Sequence, residues 1–222
     1  MLNGMVLNMA RLLIFGAGGH GKVVADIALQ TKKWTDIAFL DDNSSLKEVD
    51  GIPIIGRLDD FLLLKNEYRD AFVALGDNQL RLKWIKNLSK EGVRLPTIIH
   101  PFTSVSRCCK IDEGTVIMPG VVLNTGVIIG RGCIINTSSS VDHDCVLEDG
   151  VHISPGVHFG GMVRIGSCTW ACIGSHVVNN IDVGKNVVIA AGAVVNKSVP
   201  DNVMVVGVPA IIKKRFRMMG NE

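Results

Sequence analysis

Apolar residues recur at every sixth position through the second half of the chain. Counting in sixes gives Val105, Ile111, Ile117, Leu123, Ile129, Ile135, Val141, Leu147, Ile153, Phe159, Ile165, Ala171, Val177, Val183, Ile189 and Val195, all sixteen of them apolar. Four places further on in each unit stand small or β-branched residues, among them Val121, Val127, Val151, Val157, Val163, Ile181 and Val187. Just before these come Gly114, Gly120, Gly126, Gly132, Gly150, Gly156, Gly174 and Gly192, with Asn180 and Asn186 in the same place. Those residue types tolerate the positive φ of a tight corner. Neither a helix of period 3.6 nor a strand of period 2 generates a strict six, and the strands of a β-sandwich do not keep one. A triangular coil does: one short strand and one turn per side, eighteen residues per coil, and residues eighteen apart stacked about 4.8 Å from each other. The period leaves the hand of the coil open.

The first half has a different rhythm. Residues 12–15 form a short apolar run that ends in Gly16-Ala17-Gly18-Gly19-His20-Gly21, and Val23, Val24, Ile27 and Ala28 then follow at helical spacing. That order predicts strand, Gly-rich turn, helix. Further runs at 37–40, 71–75 and 97–99 alternate with helical stretches near 58–68 and 80–88, the latter with Leu80, Trp84, Ile85 and Leu88 on one side. The pattern predicts a half-Rossmann-like α/β domain with a parallel sheet over residues 10–99, followed by a parallel β-helix over 100–212.

Ligands of open parallel sheets sit at the carboxyl ends of the strands. Three clusters follow strands here: 16–21, Asp41-Asp42 and Gly76-Asp77-Asn78. They are expected to converge on one site, with glycines admitting a diphosphate and a carboxylate accepting ribose hydroxyls. Gly16, Gly18 and Gly21, with Asp41 twenty residues beyond, also satisfy the dinucleotide fingerprint. A domain of about 90 residues is only half of a dinucleotide fold, which favours a single nucleotide carried as part of a sugar nucleotide.

Composition narrows the classes. A net charge of +2, from 23 basic and 21 acidic residues, argues against nucleic acid as the partner. No apolar run approaches the roughly 20 residues of a membrane span. Residues 1–10 lack the basic start and cleavage site of a secretory signal and read as a leader before Met9. Six cysteines without a CxxC pair or regular spacing form no disulfide framework, which points to a reducing cytoplasm and to cysteines used as small core fillers. No metal site is expected.

The sixes resemble those of the hexapeptide-repeat acyltransferases, whose coils wind left-handed, and Gly207-Val208-Pro209-Ala210 is similar to their closing motif. Acetyl transfer from a thioester needs a base, donors for the oxyanion and a groove for pantetheine. His143 stands at a corner in Val141-Asp142-His143-Asp144-Cys145, outward by the repeat phase and between two acids. A carboxylate that holds an imidazole raises its basicity and fixes its tautomer. Eighteen residues beyond Asp142 and His143 lie Gly160 and Gly161, so the coil above has no side chains there. By the same counting His152 stacks on Trp170, and His158 on His176 as a structural pair. Cys145 falls in an inward position.

Together with Phe39-Leu40-Asp41-Asp42 and Asn136-Thr137-Ser138-Ser139, these motifs resemble the sugar O-acyltransferase, sialic acid O-acetyltransferase family from Ala10 to about Ile212, and most of all its bacterial N-acetyltransferases for nucleotide-linked 4-amino sugars. The resemblance implies a homotrimer with active sites between neighbouring β-helices and acetyl-CoA as co-substrate. It implies His143 as general base and Asp144 as the acid that raises its basicity, where relatives often have Glu. It implies that Gly161 turns its amide to the thioester oxygen. His152, Ile173 and Ala191 are implied to meet acetyl-CoA, the last a position often Gly in relatives. Gly18, Gly19 and His20 are implied to bind the sugar-nucleotide diphosphate, with Asp41 and Asp42 reading base and ribose, and Gly76, from the third strand-end cluster, is expected at the same site. Lys213, Lys214, Arg215 and Arg217 form a basic tail that is either solvated or set against CoA phosphates. Two rivals stand beside this reading: O-acetylation of sialic acid or another free or polymeric sugar, and a non-catalytic scaffold, which would need neither the Gly-rich domain nor His143.

Overall fold

The computed structural model describes residues 10–216. The expected leader over 1–9 and Arg217 lie outside the described residues. The α/β domain runs β1 (Arg11–Phe15), α1 (Gly19–Thr31), β2 (Asp36–Leu40), β3 (Glu48–Val49), β4 (Ile52–Gly56), α2 (Phe61–Leu64), β5 (Asp70–Val73) and α3 (Asn78–Lys90). Its sheet has the order β3-β4-β2-β1-β5, parallel throughout except for β3. Because strand side chains alternate between faces, Leu12 and Ile14 of β1 pack with Val24, Ile27 and Ala28 of α1, while Leu13 and Phe15 pack with Phe61, Ile85 and Leu88 on the other side. Strand order reverses at β1, so a crevice opens between the loops that follow β1 and β5.

Two expectations change. The stretch 58–68 is only a 3₁₀ turn, Leu58–Asp60, and the short α2. Leu62 and Leu63 point to solvent, so the run lacks the buried stripe that sustains a longer helix. The run at 97–99 does not join the first sheet: Ile98–Ile99 pairs with Val116–Ile117, eighteen residues on, and is the first rung of the β-helix. The period of six therefore begins one unit before Val105.

The β-helix is left-handed and has three parallel sheets. The first contains Ser140–Val141, His158–Phe159 and His176–Val177; the second Val146–Leu147, Arg164–Ile165 and Asp182–Val183; the third Ile134–Ile135, His152–Ile153, Trp170–Ala171 and Val188–Ile189. Up to Val194–Val195 each strand pairs with its neighbour at a register of eighteen, as in Ser140↔His158 and His152↔Trp170, and the last coil is two residues shorter, with Val188 opposite Met204. From Ile117 to Val195 the inward sixth residues are buried in one continuous core. Cys133 and Cys145 are buried as small fillers, whereas Cys108 is exposed. The third sheet ends with Val203–Val206 and an antiparallel strand, Ile211–Arg215. Lys213, Lys214 and Arg215 thus belong to an exposed edge strand rather than to a loose tail.

Helix α3 joins the two halves. It lies along the corner between the second and third sheets, where Gly114, Gly132 and Gly150 leave a groove for Leu82 and Ile85. A helix turn rises about 5.4 Å and the coils are about 4.8 Å apart, so residues one turn apart on α3 meet successive coils. Gln79 Nε2 donates to Asn186 Oδ1 at 2.8 Å, Asn78 Nδ2 to the Cys168 carbonyl at 2.9 Å, and Arg81 to the carbonyls of Gly150 and Gly132. The buried face of α3 is therefore Arg81, Ile85 and Leu88; Leu80, expected there, is exposed.

Gly132 has φ 62°, and a Cβ on it would lie 2.5 Å from Ile85 Cδ1. Gly132→Ala is expected to cost about 1–3 kcal/mol through left-handed strain and overpacking. Gly174, with φ 64° and open space around it, isolates the backbone share. Thermal unfolding of Gly132→Ala beside Gly174→Ala checks this, the former having the lower midpoint.

Candidate active site

The Gly-rich loop follows β1 at the crevice. Gly16 has φ 100°, and a Cβ on Gly21 would run into the Gly16 carbonyl oxygen, so only glycine lets α1 start this close to the strand. Gly18, Gly19 and Gly76 have open space where a side chain would be, on both sides of the crevice. Asp41 holds the loop: its Oδ2 accepts the Ala17 N–H at 2.7 Å and its Oδ1 the Asn43 N–H at 2.8 Å. Asp42 Oδ1 accepts the Leu58 N–H at 3.3 Å and lies 3.4 Å from Arg57 Nε. The three expected clusters thus meet at the carboxyl ends of the strands, in a sheet that holds only one mononucleotide half.

His143 and Asp144 form the turn between Ser140–Val141 and Val146–Leu147. Asp144 takes the left-handed conformation, φ 58°, which its short polar side chain tolerates. His143 Nδ1 is 2.9 Å from Asp144 Oδ2. With the proton on Nδ1 donated to that carboxylate, the Nε2 lone pair is free. Asp142 Oδ1 accepts both the His143 N–H at 2.7 Å and Asn124 Nδ2 at 2.8 Å, which fixes the turn.

Space around the pair comes from missing side chains. A Cβ on Gly161, one coil above, would lie 2.5 Å from His143 Nε2, and a Cβ on Gly126, one coil below Asp144, would run into Asp144 Oδ1. The Gly161 N–H finds no acceptor among the described residues. The hydrogen bond to Asp144 holds the His143 pKa above the ordinary histidine value, with the charges of both neighbouring acids adding to it. Cys145 is turned into the core, where its Sγ donates to the Gly160 carbonyl at 3.1 Å and burial pushes the thiol pKa up.

His152 lies on the third sheet, the side of the triangle opposite the corner that carries His143. Its ring stacks on Trp170 with centroids 5.6 Å apart and planes at 15°, and Trp170 Nε1 donates to Ser154 Oγ at 2.9 Å. Burial pushes the His152 pKa down to about 3, with the charges of Arg81 and His20 in the same direction. His20, in the first turn of α1, is lowered to about 4 by burial and then by Arg81, and its Nε2 is buried without a partner among the described residues. Ile173 and Ala191, eighteen apart, are exposed at the corner between the third and first sheets. His158 and His176 pair at 5.4 Å on the exposed first sheet, His158 Nδ1 lying 2.8 Å from Ser140 Oγ.

The residues therefore fall into three groups within one chain. Asp142, His143, Asp144 and Gly161 occupy one corner; the Gly-rich loop, Gly76, His20 and His152 gather where the α/β domain meets the third sheet; Ile173 and Ala191 stand at the corner between the third and first sheets. Arg81 belongs to the second group and was missed because arginine on a helix reads as a solvated charge. Its spacing to Ile85 and Leu88, four and seven residues on, was the available signal. A cleft of about 700 Å³ lined by Arg11, Lys65, Glu67, Asp70 and Arg94 lies instead at the amino ends of β1 and β5, where its charges pair with one another. Among the described residues no three His, Cys, Asp or Glu side chains are grouped to hold a metal ion, and no helix is long and apolar enough to cross a membrane.

Residues 11–88 match the PglD N-terminal domain family. The acetyltransferase domain of PglB from Neisseria gonorrhoeae, solved with acetyl coenzyme A, is 39% identical with a TM-score of 0.87, over 92% of this chain and 99% of that one. A histidine-to-asparagine variant of perosamine N-acetyltransferase from Caulobacter crescentus, solved with CoA and GDP-perosamine, is 33% identical with a TM-score of 0.89, over 92% and 97%. UDP-N-acetylbacillosamine N-acetyltransferase of Bacillus subtilis is 32% identical over 112 residues, 50% of this chain. In that alignment the chain spans about half the length of the curated relative, 52% of it.

Asp144→Asn keeps the shape and the tolerance for positive φ but removes the charge and the acceptor that favour imidazolium. The His143 pKa is expected to fall, so the ring loses its proton at lower pH than in the wild type. Titration of the His143 ring by NMR checks the direction.

Proposed function

This chain belongs to the hexapeptide-repeat acyltransferases of the sugar O-acyltransferase family, with the amino-sugar N-acetyltransferases as its relatives, and on that premise we propose that it transfers acetyl from acetyl-CoA to the 4-amino group of a nucleotide-linked amino sugar. The observation that carries the reading is His143: Nδ1 held by Asp144, Nε2 free, and bare glycine backbone one coil above. The α/β domain favours a nucleotide-linked acceptor over a free sugar, because Gly18, Gly19 and Gly76 leave open backbone across a crevice suited to a diphosphate.

In this mechanism the acceptor nitrogen attacks the thioester carbonyl carbon while His143 Nε2 removes one of its protons. The carbon–sulfur bond breaks, an amide forms, and the proton leaves with the CoA thiol. Negative charge that builds on the thioester oxygen meets the Gly161 N–H, a fixed donor that needs no reorganisation. Asp144 stabilises the imidazolium that forms. His152, Ile173 and Ala191 hold acetyl-CoA, and Gly18, Gly19, His20, Asp41, Asp42 and Gly76 hold the sugar nucleotide. Cys145 takes no part, since its thiol is buried and protonated.

A complete site also needs a second copy of the chain. His143 and His152 stand on opposite sides of one β-helix, so a single protomer does not bring both to one pair of substrates; a closed trimer in which the corner of one copy meets the third sheet of the next would do so. Six free cysteines suit a reducing cytoplasm.

Nucleotide-linked 4-amino sugars offered with acetyl-CoA are expected to release free thiol; release only with sialic acid or a free sugar would favour O-acetylation. His143→Ala is expected to lose about 100-fold to 10,000-fold in kcat with little change in acetyl-CoA affinity, while Cys145→Ala stays active. An acetylated cysteine trapped without acceptor would replace direct attack by an acyl-enzyme route. Sedimentation at micromolar protein is expected to give a trimer, and monomer alone would sink the shared site.

A further inference from the structure

We propose that Arg81 is a positioning residue that locks the acceptor-binding loops of the α/β domain into register with the acetyl-CoA face of the β-helix. Its guanidinium is buried between the two halves and donates to both. On the α/β side the acceptors are the Leu75 carbonyl at 2.9 Å, the Gly76 carbonyl at 3.4 Å and Asn78 Oδ1 at 2.8 Å. On the β-helix side they are the Gly132 carbonyl at 2.7 Å and the Gly150 carbonyl at 2.9 Å. Gly76 is one wall of the crevice, and Gly150 stands two residues before His152. One planar fork therefore spans the loop that faces the sugar nucleotide and the rung that carries the expected acetyl-CoA contact.

Packing alone does not call for this residue. Leu82 and Ile85 already fill the glycine groove, and Asn78 and Gln79 already bond across it. A buried cation with no carboxylate among its bonded partners is costly, and a long apolar side chain would fill the same place more cheaply. What the guanidinium adds is direction: rigid donors that fix five oxygens from two domains at once, which a lysine ammonium cannot reproduce. The titratable groups facing it are His20 of α1, Asp77 at the start of α3, and Cys133, Cys168 and His152 of the β-helix. Burial lowers the Arg81 pKa only to about 10, so it remains charged at neutral pH, and its field disfavours protonation of His20 and His152. Burial is the larger cause of both lowered values and the Arg81 charge adds to it, while His20 Nε2 is buried without a partner among the described residues.

The inference rests on the acetyl-transfer reading for the identity of the two ligands, and affinity separates the two questions. Turnover by the wild-type protein tests the reading. Titration calorimetry of the full chain with acetyl-CoA, and with GDP-perosamine or a UDP-linked 4-amino sugar, whichever the wild type binds, tests Arg81. Arg81→Met is expected to weaken the nucleotide sugar about tenfold or more while acetyl-CoA stays within about twofold, and Arg81→Lys to recover only part of the loss. Unchanged nucleotide-sugar affinity in folded Arg81→Met, or an equal loss for both ligands, would overturn the proposal. Should Arg81→Met not fold, Asn78→Ala removes one guanidinium acceptor and is expected to weaken the nucleotide sugar alone by about threefold. No change there would overturn it equally.

Discussion

Every coil of the β-helix is bound to the next by backbone hydrogen bonds, and until the last coil that ladder keeps one repeat length. With strands about 4.8 Å apart, a residue has a fixed neighbour eighteen positions away, above and below. The constraint makes the core continuous, since each inward valine or isoleucine lands on another. It also makes the candidate active site, which is defined as much by glycines one coil above His143 and one coil below Asp144 as by the two side chains. A β-carbon at either glycine would occupy the space these side chains need.

The same spacing governs how the halves of the molecule meet. A helix turn and a coil differ in rise by only about 0.6 Å, so α3 can descend the corner of the β-helix with its side chains engaging successive coils. Glycines at 114, 132 and 150 serve twice, as left-handed corners and as the floor of the groove that receives Leu82 and Ile85. The loop that begins α3 is the loop that faces the crevice. Docking a helix on the β-helix therefore fixes the position of the loop that lines the crevice, and Arg81 bonds carbonyls on both sides of that contact.

Environment divides the histidines by proton affinity. His143 is exposed beside two acids, and its pKa is raised; His20 and His152 are buried beside a cation, and theirs are lowered to about 4 and about 3. Groups pushed in opposite directions are suited to different parts in proton transfer. A ring near a carboxylate can take a proton and be stabilised once it has done so, while rings kept neutral can only donate or accept hydrogen bonds. Cys145, two residues from His143, is removed from the chemistry by the inward phase of its position.

Counting along the chain was sufficient for whatever the period controls: the three-sided coil, the inward phase of Cys145, the stacking of His152 on Trp170, and the glycine above His143. The Gly-rich turn after a strand, and the acids twenty residues on, likewise announced the carboxyl end of the first sheet. These features were legible because strand register and turn geometry are local, and a fixed local rule repeated in space needs no further information. Arg81 as a buried residue, Leu80 as an exposed one, the brevity of α2, and the transfer of Ile98–Ile99 from the first sheet to the β-helix were not legible. Each depends on which surface meets which across long stretches of chain, and no period in the sequence records that.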